Sequence, residues 1–429
     1  MTAQTRPRVV IVGAGFGGLW AARELAGALV DVTLIDRHNY HTFFPLLYQV
    51  AAAELEPEDI AHPVRTILRG KKNVRFLMAE VTGVDLEAKV VKTSLGDEPY
   101  DYLVLATGSR PHFFGVKGAE EHALRLRALE EGVCIRNHIL TRFEHAAALP
   151  PEQRAAELHF AIVGGGPTGV EFAGALAELV YGPLKKDFPS LDFGEVSITV
   201  IEASDGLLTM LVPKLRAYAL RRLKRMGVDV RLKAAVESIT ADGVHLKDGE
   251  FIAARTVVWT AGVGGHPDLK TWGLPVVRGG RVAVKPTLQL SEHAEVYVVG
   301  DSAYLEQDGV PLPMVAPTAT QQGVAAARNI RRQIAGEQPK PFRYRDLGTL
   351  AVIGRNSAAA EVFGRSFSGI VAWFIWLVYH LYALIGFRNR LVVLTSWAWD
   401  YLFLERVVRL VLPGDSSDSR PSTGSGRTD

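Results

Sequence analysis

Val9-Val10-Ile11-Val12-Gly13-Ala14-Gly15-Phe16-Gly17-Gly18 decides the fold. Residues 8–12 form a run, apolar after Arg8, that ends in glycine, as expected of a strand buried on both faces of a parallel sheet. A helix pattern follows over residues 16–28, then a strand over 32–35 that ends at Asp36. Gly13, Gly15 and Gly18 fit GxGxxG: a tight turn, close backbone approach to a pyrophosphate, and close packing of helix on strand. The following helix N-terminus supplies unpaired N–H groups and a partial positive charge for phosphates. Asp36 stands where a ribose hydroxyl would be accepted.

The same order recurs about 150 residues later. A strand over 158–163 leads into Gly164-Gly165-Gly166-Pro167-Thr168-Gly169, a helix over 168–184, and a strand over 196–201 ending at Glu202. Gly164, Gly166 and Gly169 repeat the motif, with the insertion 185–195 delaying the acid. Two such units predict an α/β fold with two Rossmann-like dinucleotide-binding domains, the second inserted in the first. Three further strands end in small residues, before Thr107-Gly108, Ala261-Gly262 and Gly300-Asp301. Ligands bind at the carboxyl ends of strands in open α/β sheets. Candidate contacts of the first site are therefore Gly13, Gly15, Phe16, Gly17, Gly18, Asp36, Arg37, Thr107, Gly108, Gly300 and Asp301. Those of the second are Gly164, Gly166, Gly169, Glu202 and Gly262. The expected divisions are 1–114 and 281–340 for the first domain, 115–280 for the second, 341–413 for a C-terminal segment and 414–429 for a tail. The tail is polar and Gly/Ser/Pro-rich, the composition of disorder.

Composition narrows the chemistry. The chain has 429 residues, 48% of them hydrophobic, and a formal net charge of +2. Residues 341–413 carry eight Arg and four acids, a local +4, and 414–429 carry −1, so the first 340 residues carry −1. Nucleic-acid binding by the main body is excluded on that balance. The N-terminus enters a strand pattern without the apolar core of a secretory signal, so a cytosolic fold is expected. Cys134 is the single cysteine, too few for an internal disulfide, a CxxC pair or a zinc cage. His38 and His41 have no HxH, HExxH or cysteine partner, so no metal is expected.

A carboxylate at Glu202 favours a free 2′-hydroxyl over a 2′-phosphate, hence NADH over NADPH. The plainer reading of Glu202 is a surface charge. Two dinucleotide sites without a disulfide point to electron transfer from a nicotinamide to a bound flavin, which then needs a second acceptor.

On these residues the chain resembles the two-dinucleotide-binding-domain flavoproteins, and most closely type II NADH dehydrogenase, the non-pumping NADH:quinone oxidoreductase. The stretches that carry the resemblance are VVIVGAGFGG (9–18), RHNYHTFFPLLYQVA (37–51), YLVLATGSRP (102–111), IVGGGPTGVEFAGALAEL (162–179), VYVVGDSA (296–303), VAPTATQQG (315–323) and LIGFRNRLVVLTSWAW (384–399). The resemblance implies FAD at the first site, NADH at the second and a membrane quinone as acceptor. It matches Asp301 to the aspartate holding the ribityl chain; a helix N-cap is the plainer role. It makes Glu171 a catalytic candidate near the nicotinamide; a helix-dipole acid is the plainer role. Gln321 matches the second glutamine of the quinone-site motif AQxAxQ, whose first glutamine is Pro317 here. The stretch from His41 to Gln49 either packs under the flavin or walls a quinone tunnel, and both can hold. Ser109 reads as a turn residue.

The C-terminal segment holds four of the seven Trp. Residues 369–387 would make a helix about 28 Å long, near the ~30 Å of a hydrocarbon core. His380 and central aromatics argue for a helix lying on the membrane rather than spanning it. A second helix pattern, 391–412, places Thr395, Glu405, Arg406 and Arg409 on one arc, suited to the headgroup plane, with Arg388 and Arg390 facing anionic phosphates. The fold class thus gains a C-terminal α-rich membrane-associating segment, with a homodimer interface or domain core as the competing use. The expected location is peripheral, on the cytoplasmic face of the cell membrane. Competing functions are a soluble NAD(P)H reductase of a protein electron carrier and a redox-controlled flavin-binding scaffold.

Overall fold

The computed structural model describes residues 6–403, 406 and 408–411, so the expected tail lies outside the described residues. The chain divides into two compact units. The first comprises the chain up to Thr42, Ala61–Arg110 and Val263–Leu347; the second comprises Phe43–Ile60, Pro111–Gly262 and the chain from Gly348.

The elements that build the sites run, in chain order, β1 (Arg8–Val12), α1 (Phe16–Leu25), β2 (Asp31–Asp36), β3 (Val74–Met78), β4 (Tyr102–Leu105), β5 (His159–Val163), α2 (Pro167–Leu179), β6 (Ser197–Glu202) and α3 (Pro213–Arg225). They continue with β7 (Val228–Leu232), β8 (Thr256–Trp259), β9 (Val296–Val298), α4 (Ala316–Ile334), β10 (Thr349–Gly354), β11 (Ser357–Val362), β12 (Arg365–Gly369), α5 (Ile370–Ala383) and α6 (Phe387–Phe403).

The first unit is built on a parallel sheet of order β9-β4-β1-β2-β3. Val10, Val12, Leu103, Leu105, Val296 and Val298 form one core face of it, while Val9 and Ile11 are buried on the other. The second unit repeats the layout: Leu124–Arg125, then β8-β5-β6-β7, all parallel. Even the register agrees. Val12 pairs with Ile35 and Leu105, and Val163 pairs with Ile201 and Trp259. Continuous apolar strands of this kind need cover on both faces, which the crossover helices supply.

The structure divides the chain differently from the reading above. Residues 43–60 and the described residues from Gly348 onward belong to the second unit rather than to the first domain or to a separate segment. The reason is packing on α2. A Cβ placed on Gly174 would lie 2.8 Å from the Ile353 carbonyl, so β10 runs directly against that helix. The antiparallel sheet β10-β11-β12 is therefore part of the second unit's body.

The C-terminal helices also differ. The expected 19-residue helix stops after 14 residues, because the chain turns extended at Leu384 and Gly386 adopts φ +89°. At 1.5 Å per residue α5 is about 21 Å long. Among the described residues no helix is long and apolar enough to cross a membrane. The second helix begins at Phe387 and ends at Phe403, before Arg406 and Arg409.

Candidate dinucleotide sites and acceptor cavity

The two glycine loops share one hydrogen-bond plan. In the first, Gly13 N donates to Ile35 O at 2.7 Å, and Asp36 accepts from Ala14 N at 2.7 Å and His38 N at 2.8 Å. In the second, Gly164 N donates to Ile201 O at 2.8 Å, and Glu202 accepts from Gly165 N at 2.5 Å and Ser204 N at 2.7 Å. Each carboxylate thus clamps its loop and retains lone pairs for a ribose hydroxyl. Gly13 and Gly164 sit at φ +100° and +115°, which a side chain would oppose. A Cβ on Gly18 or Gly169 would fall 1.9 Å from the carbonyl of Gly13 or Gly164, so only glycine lets helix and loop meet. Gly15 and Gly166 are the reverse case. A Cβ there would meet no atom within 4 Å, so the backbone faces open space. Neither α1 nor α2 has a side-chain cap. Open space before uncapped N–H groups is what a pyrophosphate needs.

Four other first-site candidates, Thr107, Gly108, Gly300 and Asp301, lie at neighbouring strand ends of the first unit. Thr107 and Ser302 hydroxyls share a bond of 2.8 Å, Ser302 donates to Gly108 O at 3.0 Å, and Ser109 donates to Asp301 at 2.6 Å. Ser109 is therefore a partner of the acid, not just a turn residue, and Ser302 belongs with it. Gly300 N donates to Gln322 Oε1 at 2.7 Å, leaving Gln322 Nε2 buried without a protein acceptor. That free donor suits a polar cofactor edge; in sequence Gln322 stands out only as a substitute for Gln321 in a shifted register. His41 is buried, with Nδ1 2.9 Å from Ala14 O and its ring edge-on to Phe16. Burial drives its pKa down to about 4, so it is neutral. Arg37 is exposed at the end of β2. Gly262, at φ +87°, packs against the Phe114 ring.

Gln321 is placed differently from a free amide donor. Its Nε2 donates to Arg345 O at 2.9 Å and its Oε1 accepts from Arg345 N at 3.0 Å. Both ends of the amide hold backbone.

Glu171 is the fifth residue of α2, beyond the first turn, and is buried, so the helix-dipole role does not describe it. It lines a cavity of about 940 Å³ within the second unit, walled also by Tyr48, Gln49, Trp376 and Trp397. Burial pushes its carboxyl up to about 8, against the pull of the Val352 amide and the Trp376 side chain. At neutral pH it carries a proton. Trp397 Nε1 donates to Gln49 Oε1 at 2.9 Å, and Gln49 Nε2 donates to the Tyr48 hydroxyl at 3.0 Å. An indole only donates, so the Gln49 amide can face one way only, and Tyr48 keeps its own proton to give. Burial holds the Tyr48 phenol well above its usual range.

Arg406 closes this wall. Its Nη1 donates to Ala52 O and Ala175 O, each at 2.7 Å, and its Nη2 meets Glu54 at 2.5 Å and Glu178 at 3.3 Å. Burial still lifts Glu54 to about 7, and Asp400 to about 6. The expected membrane arc is thereby corrected. Arg406 is buried, Arg409 pairs with Asp187 at 2.9 Å, and Glu405 lies outside the described residues. Arg390 caps α5 through Leu384 O and Tyr382 O, whereas Arg388 is exposed. The arc fails because the helix that would carry it has ended.

A family model described as pyridine nucleotide-disulphide oxidoreductase matches residues 7–323. A type II NADH:quinone oxidoreductase of Mycobacterium tuberculosis is 39% identical over 417 residues, covering 94% of this chain and 89% of the relative. The chain belongs to the type II NADH:quinone oxidoreductases. A Staphylococcus aureus member of that group is 33% identical over 382 residues, covering 87% of this chain and 94% of the relative. The solved NDH2 of Plasmodium falciparum in complex with NADH shares the fold at TM-score 0.88 and 19% identity, covering 95% of this chain and all of that one. The disulphide of the broader family's description has no counterpart here. Cys134 stands alone, half-buried, with its thiol pKa raised by burial rather than lowered as a reactive thiol's would be.

Proposed function

We propose that this protein oxidises NADH and reduces a membrane quinone through FAD, without pumping protons. The observation that carries the acceptor half is the aromatic-walled cavity with Glu171, a protonated carboxyl, in its wall. When bound, FAD supplies the two-electron carrier between nicotinamide and quinone. The first loop, Asp36 and the Asp301 group hold FAD; the second loop and Glu202 hold NADH. A quinone carbonyl in the cavity would accept from the Tyr48 hydroxyl and the Glu171 carboxyl, and Glu171 would give it a proton. Gln49, locked between Trp397 and Tyr48, positions the phenol. Gln321 fixes the Arg345 backbone and acts by positioning.

The reading places the enzyme peripherally on the cytoplasmic face of the membrane, where NADH is available. Ile370, Phe374, Val378 and Tyr382 make one exposed stripe on α5, and Phe387, Leu391, Leu394 and Leu402 another on α6. Exposed apolar stripes at helical spacing suit the lipid interface. A second copy is the competing cover, and the oligomeric state in detergent decides between them. Ala372, Trp376 and His380 are buried, so deleting α5 would damage the unit. Replacing Phe374, Val378 and Leu391 by Glu tests membrane association more cleanly.

Purified protein should contain FAD that NADH bleaches and a quinone analogue restores. Absence of FAD, or bleaching that quinone cannot reverse while a protein carrier can, overturns the reading.

A further inference from the structure

A second pocket, of about 280 Å³, opens on the second unit and is lined by Arg221, Arg222, Arg225 and Arg355, with Tyr218 and Ser357 beside them. Neither dinucleotide site uses these arginines; Arg222, Arg225 and Arg355 also border the larger cavity, whereas Arg221 lines this pocket alone. Three stand on the last turns of α3, and Arg355 stands on the turn between β10 and β11. Among the described residues no carboxylate forms an ion pair with any of the four. Arg222 Nη2 donates to Arg355 O at 3.2 Å, and its Nε is buried without an acceptor. Arg355 is held over the Tyr401 ring, 4.1 Å from its centroid, and its Nη2 donates to the Tyr401 carbonyl, which leaves its charge without a carboxylate. Tyr218 and Ser357 hydroxyls share a bond of 2.8 Å.

Cations near a helix C-terminus complement its dipole, which accounts for part of this charge. It does not account for Arg355, which comes from a separate turn, nor for the buried unpaired Nε of Arg222. Four guanidinium groups around one hollow repel one another until an anion neutralises them. Guanidinium forks match the oxygens of a phosphate in paired hydrogen bonds.

The pocket's surroundings choose the kind of phosphate. A Cβ on Gly369, the residue before α5, would lie 3.7 Å from the Tyr218 hydroxyl oxygen. The arginine pocket therefore sits at the root of α5, where Ile370, Val371 and Phe374 are exposed. We propose that this pocket binds the phosphate of an anionic phospholipid, whose acyl chains lie along the exposed stripe of α5. The proposal rests on the membrane-surface reading above and adds a stoichiometric headgroup site to it.

The test uses the full-length holoenzyme and the Arg221→Gln/Arg225→Gln double variant, with flavin content and Tm as folding controls. Short-chain phosphatidylglycerol, kept below its micelle concentration, is titrated by calorimetry. Wild type should show one saturable site. Each Arg near an anionic headgroup is worth about fivefold, so the variant should bind about 25-fold more weakly. Inorganic phosphate should compete only weakly. Equal lipid binding by both proteins, or no saturable binding, overturns the site. Phosphate binding as tightly as the lipid overturns the lipid assignment in favour of a free phosphate. A separate arm floats both proteins on vesicles of phosphatidylcholine alone. Flotation of both proteins, with no saturable phosphatidylglycerol binding by wild type, retires this proposal and leaves the membrane reading standing; failure of wild type to float on any vesicle retires the membrane reading itself.

Discussion

Helices α1 and α2 leave glycine loops of the same geometry, yet their outer faces are covered differently. On α1 the cover is a helix. A Cβ on Gly323 of α4 would lie 2.1 Å from Gly17 O, so the two helices meet backbone to backbone. On α2 the cover is β10, admitted by Gly174, and beside it Glu171, Ala175 and Glu178 face a cavity. In the first unit the helix of the proposed FAD cradle is covered by another helix. The second keeps the same cradle and turns the back of its helix into the wall of a cavity, the chamber proposed for the acceptor. The same local fold thus carries a second task wherever small residues and buried acids replace a packed helix on its far side.

The sharpest way to separate the two cradles is the third glycine of each. Gly18→Ala should abolish FAD retention, and with it all activity. Gly169→Ala should leave FAD bound while NADH no longer bleaches it. Flavin absorbance of the purified variants, before and after NADH, reads both. Loss of FAD from the Gly169 variant would show that the cradles are not independent.

The next largest effect concerns the wall found only in the second unit. Arg406→Ala strands Glu54, Glu178 and two carbonyl groups, and breaking such a buried pair costs about 3–5 kcal/mol. Denaturant unfolding should show that loss. A change below about 1 kcal/mol would mean the group is solvated, as an exposed pair would be.

Milder substitutions compare the two acids. Glu202→Gln keeps the side chain's shape and weakens two charge-assisted bonds, so KM for NADH should rise about 10- to 100-fold with flavin content unchanged. Asp36→Asn should do the opposite, loosening FAD and sparing KM. The smallest effect belongs to Ser109→Ala. It removes one bond to Asp301 and should weaken FAD by about 1 kcal/mol, read by flavin release on dilution.

The two cradles were legible because each lies in about forty consecutive residues, and a glycine loop with its acid is a local device. The cavity was not. Its walls come from residues 48–54, 171–186, 222–227, 352–355 and 373–406, which no sequence window holds together. Arg406 illustrates the difference. At helical spacing it reads as a surface cation, but Arg406 lies outside α6 and is buried. Helix length failed for a related reason: nothing in the apolar run of residues 369–387 announces the extended turn at Leu384. Ser109 and Gln322 carry ordinary residue types, and their roles appear only when Asp301 and Gly300 are brought beside them.

In the proposed reaction Glu171 holds a proton for the acceptor. Burial raises its carboxyl to about 8, so the protonated form is present below that pH and lost above it. The same shift makes its contribution to folding stability disappear as pH rises through about 8, a loss Glu171→Gln should not show. The direct measurement is stopped-flow reoxidation of the NADH-reduced enzyme by a quinone analogue between pH 6 and 10. The wild-type rate should fall above about pH 8, while Glu171→Gln should be slower and flat, with flavin reduction by NADH unchanged. The same pH profile in both proteins, or an effect confined to flavin reduction, would contradict the account.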